Sequence, residues 1–403
     1  MLRTIIIFLI VLSILVIIHE LAHFLVAIWN KVWVKEFGIG FPPRIKKLFK
    51  WGNTDFFINA IPIGGYVSLA GETDTDDKSE SEEEVVFQAE TKGKKSKSEK
   101  VSKKESEPKV PKSMLFYNKS IWQRAAIIGA GPISNIVFGA LMFAVVFCIV
   151  GIPFAMEGAF IGYVQEGSPA MESGMQPNTQ VLSVDTGEEL VEIFSSQQLI
   201  SLIGANRGQE IIVNTSDTCV GSECDGFNSF PVRVRTVEET PAGQGAVGIA
   251  FMDYNFQFFP WYQQIPLGIA RGFQQSFEMA VLILDSLGQM ISGIFAPAYD
   301  APELDVVGPV GMVNQINQHG IFDAGFLAIV QFAAILSVNL GIMNLLPFPA
   351  LDGGKLIMIF VGAVVGRKKV AKVEAYLDMI GFALLILLMI AITTRDIWQI
   401  FQS

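Results

Sequence analysis

His19, Glu20 and His23 sit inside the run Ile17–Leu25, which is otherwise hydrocarbon. On a helix, residues i and i+4 stand on one face, about 6 Å apart at Cβ. Two imidazoles so placed can share one zinc ion, and the intervening glutamate can reach a metal-activated water as general base. A short pattern of this kind also arises by chance, and two facts weigh against that. The chain has three histidines in all, and two of them are here. Each ionisable group inside a bilayer costs at least ~2.5 kcal/mol, so a cluster of three requires a function.

A hydrolytic zinc keeps three protein ligands and leaves a fourth position open. Two histidines therefore call for a carboxylate elsewhere. Asp352 is the outstanding candidate. It closes the run Asn344-Leu-Leu-Pro-Phe-Pro-Ala-Leu-Asp352-Gly-Gly354, where two prolines and two glycines break a membrane helix on its cytoplasmic flank.

The elements that must position these residues follow from composition. Of 403 residues, 51% are hydrophobic and 17% charged, whereas soluble domains carry about 25% charged residues. The deficit is concentrated in a few long apolar runs, which marks an integral membrane protein with soluble parts. A net charge of −10 leaves no concentrated basic surface for nucleic acid. Three cysteines are too few for a disulfide framework.

Residues 1–30 make the first crossing. Arg3 and the apolar run would also fit a cleaved signal peptide, but the embedded histidines and the lack of a small-x-small site favour a retained span. Between 31 and 50, six basic residues face one acid, Glu36, so this end is cytoplasmic and the N-terminus outside. Residues 31–71 alternate β-prone stretches with turn punctuation and predict a membrane-associated β-hairpin or sheet. Residues 72–119 are rich in charge and poor in apolar surface, as in a disordered tether. Residues 120–153 form the second crossing, with Asn135 in need of a partner and Cys148 as a small apolar filler.

Residues 155–255 hold three basic residues against fourteen acids, which suits the outer face. Short strands with one main helix over about 100 residues give the size and order of a PDZ domain. Cys219 and Cys224 bracket a loop that a disulfide can span in an oxidising compartment, with two free thiols as the alternative. The segment 258–305 is apolar but interrupted by Glu278, Asp285 and Gln289, and fits either a crossing or a helix on the membrane surface. His319 reads as a solvated loop residue. Crossings follow at 325–352 and 374–396, separated by the basic stretch Lys355 to Lys372. For Asp352 to lie at the depth of His19, both helices must run from outside to inside. Parity then makes 258–305 a surface helix. The expected architecture is an α-helical integral membrane protein with four transmembrane helices, a cytoplasmic membrane-associated β-hairpin or sheet, and one extracytoplasmic PDZ-like α+β domain. Both termini are placed outside.

In chain order, His19-Glu-Leu-Ala-His23, Gly64-Gly-Tyr-Val-Ser-Leu-Ala-Gly-Glu72, Gly131-Pro-Ile-Ser-Asn135, Gly308-Pro-Val-Gly311 and Asn344-Leu-Leu-Pro-Phe-Pro-Ala-Leu-Asp-Gly353 resemble the motifs of the site-2 protease family. The likeness is to its bacterial regulator of sigma-E protease branch. It covers nearly the whole chain, although Ala22 stands where many bacterial members carry glycine. The resemblance implies a zinc-dependent intramembrane endopeptidase of the inner (cytoplasmic) membrane with one Zn2+ per chain. Its implied partners are the lipid bilayer and single-span membrane proteins, such as anti-sigma factors or signal-peptide remnants, trimmed first by another protease. Family roles carry over as His19, His23 and Asp352 on zinc and Glu20 as base. Asn344 and Asn135 are implied as active-site or substrate-contacting positions, and Gly64, Gly65 and Tyr66 as part of a substrate-pairing edge. The competing reading is a non-enzymatic membrane scaffold with a PDZ-like binding domain and a structural metal. A structural site is closed by four ligands, and no fourth cysteine or histidine lies nearby.

Overall fold

The computed structural model describes residues 1–72, 110–155, 158–220, 223–241, 244–252, 254–295 and 307–402. Most of the expected 72–119 tether lies outside them. The described chain divides into two units, Met1–Val146 with Gly268–Ser403, and Phe147–Leu267.

Helix α1 runs Leu2–Trp29. In a bilayer every backbone polar group must be satisfied internally, and a helix of this length does so across the hydrocarbon. It stops at Asn30, whose side-chain amide donates to the Val26 carbonyl at 2.9 Å and satisfies part of the last turn. Strands β1 (Val34–Trp51) and β2 (Thr54–Leu69) follow. Each is long and folds over on itself. Residues 34–39 pair with Gly65–Leu69 on one side (Val34 with Leu69, Ile39 with Gly65) and with residues 55–58 on the other (Glu36 with Asp55, Ile39 with Ile58). Residues 44–51 close back on residues 54–59. Gly40 at φ 82° and Gly64 at φ 92° take the left-handed conformations where the strands turn over. Gly65–Leu69 thus has one described strand neighbour and one edge without any.

The sheet is held to α1 by aromatic rings. Phe24, directly after His23, is 1% exposed. Its ring centroid lies 5.5 Å from both Phe37 and Phe56 and 5.8 Å from Trp51. Phe24→Ala is expected to cost about 3–5 kcal/mol, by loss of burial and the cavity left behind. A fall in the thermal midpoint of the purified protein checks this, and an unchanged midpoint would remove the ring from its docking role.

Helix α2 (Ile121–Val150) contains Pro132. In the second unit, β3 (Ile152–Ala155) pairs with β10 (Tyr254–Gln257). The rest forms one sheet in the order β8-β7-β5-β4-β9, with β6 on β5. Its strands are β4 (Ala159–Val164), β5 (Thr179–Asp185), β6 (Leu190–Glu192), β7 (Glu210–Val220), β8 (Glu223–Arg233) and β9 (Ile249–Phe251). A short helix α3 (Pro169–Glu172) and α4 (Ser196–Ala205) complete it. Ser195 Oγ caps α4 by accepting from the Gln198 N–H. The helix buries Leu199 and Ile203 with Val181, Val184, Ile211 and Val213 of the sheet. Cys219 and Cys224 are register partners across the β7–β8 hairpin, but their side chains lie outside the described residues.

Helix α5 (Trp261–Phe295) is followed by α6 (Pro309–Gln318), α7 (Phe326–Leu345), α8 (Asp352–Val365) and α9 (Arg367–Gln402). Four described helices are long and apolar enough to cross a membrane: α1, α2, α7 and the Val373–Ile400 part of α9. Gly139 and Gly341 let α2 and α7 meet closely; a Cβ on Gly341 would stand 2.8 Å from the Pro132 carbonyl oxygen. Helix α6 falls where the sequence showed a polar loop, and His319 is its C-terminal cap. Its start is fixed from a distance. Asp396 of α9, 2% exposed, accepts from the N–H groups of Gly308 at 3.3 Å and Gly311 at 2.7 Å. That supplies the carboxylate a helix N-terminus favours and accounts for Gly308-Pro-Val-Gly311.

Candidate active site

The α1 spacing sets His19 and His23 one turn apart, and their Nε2 atoms lie 3.1 Å from each other. Asp352 arrives from 333 positions away. Its Oδ2 stands 3.0 Å from His19 Nε2 and 3.3 Å from His23 Nε2. Tetrahedral zinc with bonds of ~2.0–2.1 Å spaces its ligand atoms about 3.3 Å apart. The three atoms therefore form one face of such a site.

The surroundings fit the ion as well. A Cβ on Gly131 of α2 would clash with His23 Nε2 and stand 2.6 Å from His19 Nε2, so glycine keeps the space beside both nitrogens clear. The far nitrogens are also engaged. His23 Nδ1 donates to the Ile127 carbonyl at 2.7 Å, close to where Pro132 loosens the α2 ladder by lacking an N–H. The Asn135 amide lies 3.4 Å from His19 Nδ1. With Nε2 turned to a metal, Nδ1 carries the proton and calls for an acceptor. Asn135 Oδ1 is buried without a hydrogen-bond partner, and a half-turn of the amide places it there.

Asp352 is positioned by a broken chain path. The sequence placed it at the end of a crossing that runs to residue 352, but α7 ends at Leu345 and Asp352 opens a new helix. Pro347 and Pro349 have no N–H to continue the ladder. Gly353 and Gly354 then admit the returning loop, since a Cβ on either would strike carbonyl oxygens of Leu345, Leu346 or Phe348.

Glu20 lies on the wall of a cavity of about 190 Å³ together with His19, His23 and Asp352. The same wall includes Gly65, Tyr66, Val67 and Leu69 of the strand edge that has no second neighbour among the described residues. Gly65 backs onto Glu20, where a Cβ would come within 3.1 Å of Glu20 Cγ. Three further wall residues, Glu72, Ile128 and Lys355, escaped sequence reasoning as site residues. Lys355 Nζ lies 2.8 Å from Glu72 Oε1 and ties the turn after β2 to the first turn of α8. Burial disfavours this ammonium, but the Glu72 and Asp352 carboxylates hold it above the usual lysine range. The signal was its position three residues after Asp352, which is the same helical face. Gly64 is buried at the strand turn. Asn135 is 1% exposed and stands behind His19, off the described cavity wall. Asn344 is in the last turn of α7 and is not among the wall residues either.

Two histidines and a carboxylate beside a glutamate, carried on helices that can cross a membrane, make this a membrane-bound metallohydrolase. The chain belongs to peptidase family M50, whose family model matches residues 7–388. It is 27% identical to the regulator of sigma-W protease RasP of Bacillus subtilis, over 99% of both chains. It is 28% identical to the zinc metalloprotease RasP of Bacillus licheniformis, over 99% of this chain and 100% of the relative. The same protein of Geobacillus kaustophilus is also 28% identical, over 99% of each. The chain is a multi-pass membrane zinc metalloendopeptidase of the site-2 protease type, with Zn2+ as its cofactor.

Proposed function

We propose that this protease cuts within membrane-spanning segments of single-span proteins, such as anti-sigma factors or signal-peptide remnants, after another protease has trimmed them. The observation that carries this is that the edge Gly65–Leu69, without a second strand neighbour among the described residues, lines one cavity with Glu20 and the ligand triad. A transmembrane helix hides its amides in its own hydrogen bonds, so it must unwind before attack. Adding it as a strand to that edge would hold it extended by main-chain bonds, largely independent of sequence. The name of the Bacillus subtilis relative supports a substrate among membrane proteins that control sigma factors.

In this reading His19, His23 and Asp352 hold the zinc. The ion, when bound, supplies Lewis acidity that polarises a peptide carbonyl and acidifies water. Glu20 takes the proton from the attacking water and delivers it to the leaving amine. Asn135 keeps His19 in the tautomer that presents Nε2. Tyr66, Gly64 and Gly65 shape the edge, and Asn344 is proposed to meet the substrate when it enters. Helix α5 lies on the membrane surface, the second unit is a PDZ-like domain outside the inner membrane, and both termini are outside. The site faces the cytoplasmic half of the bilayer.

Purified protein incubated with a panel of single-span membrane proteins, with and without a zinc chelator, tests the proposal. Chelator-sensitive cleavage inside a spanning segment is expected. Cleavage confined to soluble loops would overturn the intramembrane reading.

A further inference from the structure

Asp378 lies on α9, and no step of the mechanism uses it. Its Oδ1 accepts a hydrogen bond from the backbone N–H of Ala350 at 3.0 Å. Ala350 precedes Asp352 by two positions and holds φ at 71°. That left-handed conformation disfavours any residue with a Cβ, and such residues persist only where their surroundings over-determine them. Helix α9 supplies two such restraints. Besides the Asp378 carboxylate, Gly381 brings the helix backbone against the loop: a Cβ there would stand 2.6 Å from the Pro349 carbonyl oxygen. Only 6% of the helix's apolar span is buried.

We propose that Asp378 is a positioning residue for the metal centre. By holding Ala350 left-handed it sets the direction in which the chain enters α8, and so where the Asp352 carboxylate stands relative to His19 and His23. This rests on the reading of Asp352 as the third ligand and deepens it. Asp378 acts through the loop and touches neither metal nor substrate. The same helix carries an internal control. Asp396, near the other end, also accepts from backbone N–H groups, but from Gly308 and Gly311 on a helix that does not lead to Asp352.

The test measures zinc affinity of the purified full chain by competition with a chromogenic chelator, alongside kcat and KM on a single-span substrate. Asp378→Ala is expected to weaken zinc binding and lower kcat about tenfold each, with KM nearly unchanged. Asp378→Asn keeps an acceptor oxygen and should restore both to within about threefold of wild type. Glycine adopts the left-handed conformation freely, so adding Ala350→Gly to Asp378→Ala should recover roughly threefold of the loss. Asp396→Ala should lower the thermal midpoint and leave zinc affinity as it was. Wild-type zinc affinity in Asp378→Ala overturns the proposal. So does an equal loss in Asp396→Ala, which would reduce the effect to a general loosening of α9. Wild-type affinity in Asp352→Ala overturns the ligand reading and the proposal with it. That failure is separable because it appears in a variant with Asp378 intact.

Discussion

Glu20→Gln is expected to retain zinc and lose cleavage by at least ~10²-fold, the usual contribution of a positioned general base. The exchange preserves shape, and Glu20 is not one of the three atoms that meet between His19, His23 and Asp352. Metal content should therefore stay at the wild-type level. An amide cannot accept the proton of the attacking water, so the chemical step fails while the strand edge remains available. Substrate should still be captured, as crosslinking through a residue near Gly65 would show. The combined outcome separates enzyme from scaffold, because a scaffold gives Glu20 no task that glutamine would spoil. Wild-type cleavage by Glu20→Gln would refute the mechanism.

A comparable loss is expected from one added methyl group, in Gly131→Ala. The new Cβ would clash with His23 Nε2 and lie 2.6 Å from His19 Nε2, the two nitrogens that face Asp352. One or both imidazoles must leave the triangle. Displacing a reacting group by about 1 Å costs on the order of 10²-fold in rate, and zinc affinity should fall with it. Alanine is a better helix former than glycine by about 1 kcal/mol, so α2 itself is not weakened. Gly129→Ala is the matched control. Its Cβ would meet nothing nearer than Ile133 Cδ1 at 3.7 Å, and it should bind zinc and cleave normally. Equal behaviour of the two variants would mean that the ligands do not converge where they do here.

The residues that could do chemistry were legible because the bilayer makes them conspicuous. His19 and His23 stand out in a hydrocarbon helix, and Asp352 stands out where prolines and glycines end one. The four apolar helices were visible for the same reason. What escaped the sequence depends on partners far along the chain. Helix α6 is polar and short, and its start is set by Asp396, 85 residues beyond Gly311. Helix α8 was concealed because Lys355 was read only as a marker of the cytoplasmic side, and it also lines the cavity. The β region was recognisable as strands, but not the way each folds over to leave Gly65–Leu69 at an edge. That follows from which of two neighbours residues 34–39 accept on each side. Asn135 was read as a residue needing a partner; the partner is a ring nitrogen of His19, which no local pattern reveals.

The distance of 333 positions between His19 and Asp352 also bears on how the protein is born. Ribosomes extend a chain at about 5–20 residues per second, so roughly 15–70 s pass between making His19 and making Asp352. With Asp352 as the third ligand, the growing chain carries two histidines and a base but no competent centre, and hydrolytic power arrives only when its own spans are almost all in place. A chain truncated after Leu351 should accordingly leave a co-expressed substrate whole. On that reading, the order of synthesis itself leaves the metal site incomplete until residue 352 of the 403 has been made.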